Sequence, residues 1–188
     1  MCIQKFICVF ICGISLVSCN KGKPLPVPEM TTSFVKNSDT NLSGSVFFIG
    51  PELDSVNMEI IAACDCCASD LAFPNDSSFL YVERCMGGDV YVKGNYLIFG
   101  NVLFLHTDNK IVSSEYEISP DTDLTPKYEV IQQKGTYHAY LISNLKGKEV
   151  ISFTKDDFAE YGMPTQISIS SFLEEFRKEK VLREFLSD

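Results

Sequence analysis

The residues with the most chemistry in this chain are cysteines. Cys64, Cys66 and Cys67 fall together and Cys85 stands further on, beside Met86. Three chemistries are open to them. As thiolates, Cys64, Cys66 and Cys67, helped by Cys85 or Met86, make a soft donor set suited to copper(I) or zinc. Cys64-Asp65-Cys66-Cys67 also has the C-x-x-C spacing of a redox dithiol, but no strand–helix–strand pattern surrounds it. As disulfides, four cysteines allow three pairings. Two of these contain a Cys66–Cys67 or a Cys64–Cys66 bond, very small rings that disulfide geometry disfavours. That leaves Cys64–Cys67 with Cys66–Cys85, or a single long-range bond to Cys85 with two thiols free. Closing a loop of this size stabilises by about 3 kcal/mol in the chain-entropy account.

Other catalytic groups are sparse. The histidines are His106, in His106-Thr107-Asp108 at a strand end, and His138, in Tyr137-His138-Ala139-Tyr140. They lack metal-ligand spacing, and a lone strand histidine is usually structural. No serine sits in a Gly-x-Ser-x-Gly elbow. Asp156-Asp157 and Glu174-Glu175 are placed at expected helix starts, where acids suit the helix dipole. Asp121-x-Asp123 lacks the rest of a calcium loop, and there is no glycine-rich phosphate loop. The residues therefore predict a non-catalytic protein.

The N-terminus gives the setting. Phe6 to Val17 is an apolar run interrupted only by Gly13 and Ser15. It is shorter than the roughly 20 residues of a membrane span and fits a signal-peptide core. It ends in Leu16-Val17-Ser18-Cys19, which resembles the lipobox of a bacterial lipoprotein. The resemblance implies removal of residues 1–18 and lipidation of Cys19, which anchors the chain to a membrane through its acyl chains. Asn20, not Asp, follows, and by the same resemblance the outer membrane is the expected destination. The domain would then lie in the periplasm or at the cell surface. In that oxidising compartment, structural disulfides are the favoured role for Cys64, Cys66, Cys67 and Cys85, ahead of metal or redox work.

The formal charge is −9 over 188 residues, and loss of Lys5 with the signal makes the mature chain one unit more acidic. Nucleic acid and anionic headgroups, which require basic surface, are excluded as partners. A cationic protein or a small ligand remains as a partner class. The length predicts one domain.

Three segments follow. Residues 1–18 are the signal. Residues 19–44 are a tether, in which Pro24-Leu25-Pro26-Val27-Pro28 favours polyproline II. Residues 45–188 are a single β-rich domain ending in a helix. Strands are expected at Val46–Ile49, Met58–Ala63, Phe79–Val82, Val90–Val92, Tyr96–Phe99, Val102–Leu105, Ile111–Val112, Tyr116–Ile118, Tyr128–Ile131, Tyr137–Ile142 and Val150–Phe153. Lys93-Gly94-Asn95, Gly100-Asn101 and Lys146-Gly147 read as turns, and 121–126 as a loop. Thr154 to Tyr161 reads as a short helix stopped by Gly162. Ser171-Phe172-Leu173-Glu174 reads as the capping box of a helix reaching Leu186, with a kink near Lys178-Glu179-Lys180. The fold class is mainly β: a small antiparallel barrel or sandwich, lipocalin-like, with a C-terminal α-helix.

The lipobox, Cys64 and Cys67 after an early strand, the phrase Asn75-Asp76-Ser77-Ser78-Phe79, and Gly88-Asp89-Val90-Tyr91-Val92-Lys93-Gly94-Asn95-Tyr96-Leu97 together resemble the N-terminal domain of NlpE-type copper-resistance and envelope-stress lipoproteins. The resemblance covers residues 45–118. It implies a small barrel, with copper binding or envelope sensing as an alternative to a plain binding module. An inhibitor or immunity protein against a cationic secreted enzyme is a third reading, suggested by the acidic charge.

Overall fold

The computed structural model describes residues 40–61, 67–116, 126–155 and 158–187. β-Branched and aromatic runs separated by Gly, Pro and Asn fold as strands, because such side chains pack well on a pleated surface. In chain order these are β1 (Val46–Gly50), β2 (Glu52–Asp54), β3 (Glu59–Ile61), β4 (Cys67–Ala72), β5 (Ser78–Cys85), β6 (Gly88–Phe99), β7 (Val102–Tyr116), β8 (Pro126–Gln132), β9 (Tyr137–Leu145), β10 (Lys148–Lys155) and β11 (Phe158–Pro164). Two helices follow, α1 (Ile169–Arg177) and α2 (Lys180–Ser187).

Strands β1, β4, β5, β6, β7, β9, β10 and β11 each pair antiparallel with the next, and the β11–β1 ladder closes them into an up-and-down barrel. Closure removes the free edges that an open sheet would present. β2 and β3 form a separate hairpin. β8 pairs with the upper part of β7, while β9 pairs with its lower part. Between them Gln133 N donates to Asn109 O and Thr136 N to Thr107 Oγ1, so β8 and β9 are one long strand broken by a short irregular step.

Strand alternation divides the apolar residues between two cores. Phe47, Ile49, Leu71, Phe79, Leu103, Ile142 and Ile151 turn into the barrel. Val46, Ala72, Leu80, Val82, Tyr91 and Val112 turn outward, where Phe172, Phe176, Leu182 and Phe185 of the helices cover them. One end of the lumen is filled. Leu42 is 1% exposed, Gly44 N donates to Phe73 O, and the Phe73 ring meets Phe47 at 5.9 Å and Tyr96 at 4.8 Å, both edge-on.

The barrel, and not the sandwich, is thus the form the expected β class takes. Several local expectations change. Phe158–Pro164 is a strand where a helix from Thr154 to Tyr161 was predicted; β10 and β1 both need a hydrogen-bonding neighbour there, and tertiary pairing overrides the local pattern. Gly162 is not a helix stop. A side chain at that position would come within 2.5 Å of Ile49 and Ile151 inside the lumen, so glycine keeps the barrel from overfilling. Lys93-Gly94-Asn95 is not a turn but a β-bulge within one continuous β6, where the Gly94 backbone presses against His106 O. Val102 to Tyr116 is a single strand. β4 was not foreseen, and the expected strand at Met58–Ala63 is the short β3 of the side hairpin. The helix cap is Ser168, whose Oγ accepts from Ser171 N at 3.1 Å, rather than Ser171. The expected kink is a full break at Lys178-Glu179, which lets both apolar groups face the barrel. The signal segment 1–18, the tether up to Asp39, Cys64, Cys66, and the Asp121-x-Asp123 and Asp156-Asp157 pairs lie outside the described residues.

Candidate functional site

The lumen changes character at the end opposite Leu42 and Phe73. On β5, Phe79 and Tyr81 point inward, so Glu83 and Cys85 do too. Ser69 lies across from Glu83, and Cys67 across from Cys85. On β11, Glu160 pairs with Phe153, which packs against the barrel core. Tyrosine hydroxyls help order this end. Tyr81 Oη donates to Ser69 Oγ at 2.9 Å, and Tyr140 Oη donates to Glu160 Oε2 at 3.1 Å. Tyr140 is buried, while Glu83 and Glu160 keep part of their surface in contact with solvent.

The electrostatics follow from confinement. Burial raises the Glu160 carboxyl above its ordinary range, the Tyr140 hydrogen bond opposes this, and the negative charge of Glu83 raises it further. Burial also raises the Tyr81 phenol, as do the Glu160 and Glu83 charges, against the Ser69 hydrogen bond. Tyr140 is raised first by burial and then by Glu160. Two carboxylates near enough for the charge of one to raise the other favour a positively charged or hydrogen-donating group beside them.

Cys85 is disulfide-bonded and so offers no thiolate to a metal in this state. Its β-sheet partner Cys67 lies beside it at the acidic end of the barrel. Among the described residues, no group of three His, Cys, Asp or Glu is arranged to hold a metal ion. The histidines do not converge. His106 faces outward, within β7 rather than at a strand end, and stacks on Tyr137 at 4.3 Å. His138 meets Thr136 Oγ1 through Nε2 at 3.0 Å, and desolvation lowers its pKa. Glu174 and Glu175 lie within α1.

A second polar centre lies outside the barrel, under α1. Arg84 forms an ion pair with Asp70 and approaches Glu175 at 3.5 Å, while its guanidinium sits 5.8 Å and 5.9 Å from the centres of the Phe172 and Phe176 rings. An open groove of about 530 Å³ adjoins it, bordered also by Ser171 and Lys178. The Arg84 charge is already engaged by Asp70, so this cluster fastens the helix to the barrel. Nearby, buried Asp89 accepts from Tyr91 Oη at 3.0 Å and Tyr116 Oη at 2.9 Å, and its N–H donates to Ser114 Oγ. This network ties β6 to β7.

Sequence reasoning did not single out Glu83, Glu160, Tyr81 or Tyr140. The Phe79-x-Tyr81-x-Glu83 alternation carried a signal that Glu83 points inward with the core residues. Glu160 gave none once its segment read as helix. No family model matches the chain, nor does any curated protein or solved structure.

Proposed function

We propose that the protein is a lipid-anchored envelope lipoprotein whose barrel is a non-catalytic binding module, tethered through Cys19. Its ligand is a small cationic group, free or carried on a protein side chain, received between Glu83 and Glu160. One observation carries the reading: two inward-facing, partly exposed carboxylates at one end of a lumen whose other end is apolar and closed by Leu42 and Phe73. The filled end limits entry to the level of Tyr81 and Tyr140, which favours a compact charged head over a long apolar ligand. The acidic net charge of the chain would draw such a partner in. Copper gains no support from the Cys85 disulfide.

Titration calorimetry with spermidine and with an oligolysine peptide tests the reading. Binding is expected in the wild type, with at least tenfold loss in Glu83→Gln/Glu160→Gln and little change in Glu174→Gln/Glu175→Gln on the exposed helix face. Equal binding by all three proteins would mean that only the general surface charge is being titrated, and the lumen assignment would fail.

A further inference from the structure

Closure of the barrel leaves one strand edge over. β8 pairs with β7 along one side, and among the described residues no strand pairs along its other side. β9 and β10 pair only as far as Leu141 and Ser152, and above Ser152 the described part of β10 pairs with β11 alone. The ladder identifies the groups at the free edge of β8. Gln133 N donates to Asn109 O at 2.8 Å, so the residues in step with it, Glu129 and Ile131, turn their backbone groups toward β7. The N–H and C=O of Tyr128, Val130 and Gln132 then point away from β7. Pro126, next in that series, has no N–H to present, which suits the end of an edge strand. Val130 is 51% exposed, and Glu129 and Gln132 beside it are exposed too. A row of outward donors and acceptors on a pleated strand is complementary to the backbone of another extended chain.

We propose that β8 receives an extended basic segment of a partner protein as an added strand. The charge of the partner rests on the cationic-ligand reading above, whereas the strand geometry stands without it. Register selects the sequence of the segment. Glu129 lies across from Ser113, Ser113 across from Val90, and Val90 across from Glu83. Residues directly opposite share a face, so Glu129 and Glu83 are on the lumen face at one level of the wall. Tyr128 and Val130 are on the outer face, where Tyr128 packs against the core beneath the helices. An added strand therefore turns alternate side chains toward the acidic mouth and lays the others beside Val130. Lysine or arginine suits the first set, and valine or isoleucine the second. A second copy of this chain would instead bring another acidic edge against the first, and like charges across a ladder destabilise it.

Amide hydrogen exchange of the full chain in a mild non-ionic detergent, read by NMR, tests the proposal. The probe is a short capped peptide alternating lysine and valine. It is expected to bind and to slow exchange at Tyr128, Val130 and Gln132, which spermidine should leave unchanged. Val130→Pro removes one outward donor and no bond to β7, so circular dichroism should show the fold kept while peptide affinity falls at least tenfold. Glu129→Gln should weaken the peptide about threefold, the size of one exposed ion pair. Methylating the peptide's amide nitrogens on one alternate set should abolish binding, and on the other set should leave it. No binding by the peptide overturns the proposal, as does binding that leaves the three amides exchanging as before or that both methylated forms retain. If spermidine still depends on Glu83 and Glu160 in that case, the strand proposal alone has failed. Spermidine binding indifferent to those carboxylates would instead sink the cationic-ligand reading, and equal binding of a threonine–valine peptide would remove the basic character assigned to the partner. Protection of the three amides by rising protein concentration, with no peptide present, would give the edge to a second copy and overturn the proposal.

Discussion

Glu160 is a carboxylate kept where its charge is costly. Burial and the Glu83 charge both raise its pKa, and the Tyr140 hydroxyl offsets them only in part. A carboxyl with a raised folded-state pKa contributes its full stability below the ordinary carboxylate range and loses it as pH rises through the raised value. Glu160→Gln should therefore melt higher than the wild type at neutral pH, and the gap should close as the buffer approaches about pH 4. Thermal melts at several pH values check this. The same shift acts on binding: protonation of Glu160 removes one acceptor charge, so affinity for spermidine should fall as pH falls through that range, and should fall less steeply in Glu160→Gln. Arg84 is the opposite case. Asp70, with 10% of its side chain exposed, depends on it for its counter-charge. Arg84→Ala should cost about 2–3 kcal/mol in urea unfolding, less than a fully buried pair because Arg84 is itself partly exposed. Arg84→Ala/Asp70→Ala should recover part of that loss, since no charge is then left alone.

At the scale of elements, the barrel depends on a few places where backbone or helix must come close. At the bulge in β6, a side chain on Gly94 would run into the His106 carbonyl and Thr107 Cα. Backbone atoms of a paired strand cannot step aside, so Gly94→Ala should destabilise more than an ordinary surface change, by about 2 kcal/mol or more. Gly100→Ala, in the open turn after β6, has no such neighbour, but its positive φ of 61° leaves a smaller strain cost. The helices are held by their rings. Phe176 is 5% exposed and meets Tyr91 edge-on at 5.7 Å, and Phe176→Ala should cost about 3–5 kcal/mol in the same denaturation experiment. Ser168→Ala removes the one side-chain acceptor at the α1 N-terminus and should cost about 1 kcal/mol.

At the scale of the whole molecule, the β class and the strands with dense apolar runs were legible in the sequence. Val46–Ile49, Phe79–Val82 and Tyr137–Ile142 are local signals, and the structure uses them as strands. What escaped was non-local. β11 looks helical by composition and becomes a strand because the β10 and β1 ladders meet there. Gly94 looks like hairpin chemistry and is a bulge because His106 lies beneath it. The acidic end of the lumen could not be read either, because Glu83 and Glu160 are far apart in sequence and are brought together only by closure of the barrel. That closure is what the binding proposal depends on: it proposes a ligand between two carboxylates at one mouth of a barrel anchored through Cys19. Native mass spectrometry of the chain extracted from its own membranes tests this most directly. The expected spectrum shows a polypeptide beginning at an acylated Cys19 and carrying a non-covalent small-molecule mass that Glu83→Gln/Glu160→Gln removes. An N-terminus without acyl mass, or a bound mass indifferent to those two carboxylates, would contradict it.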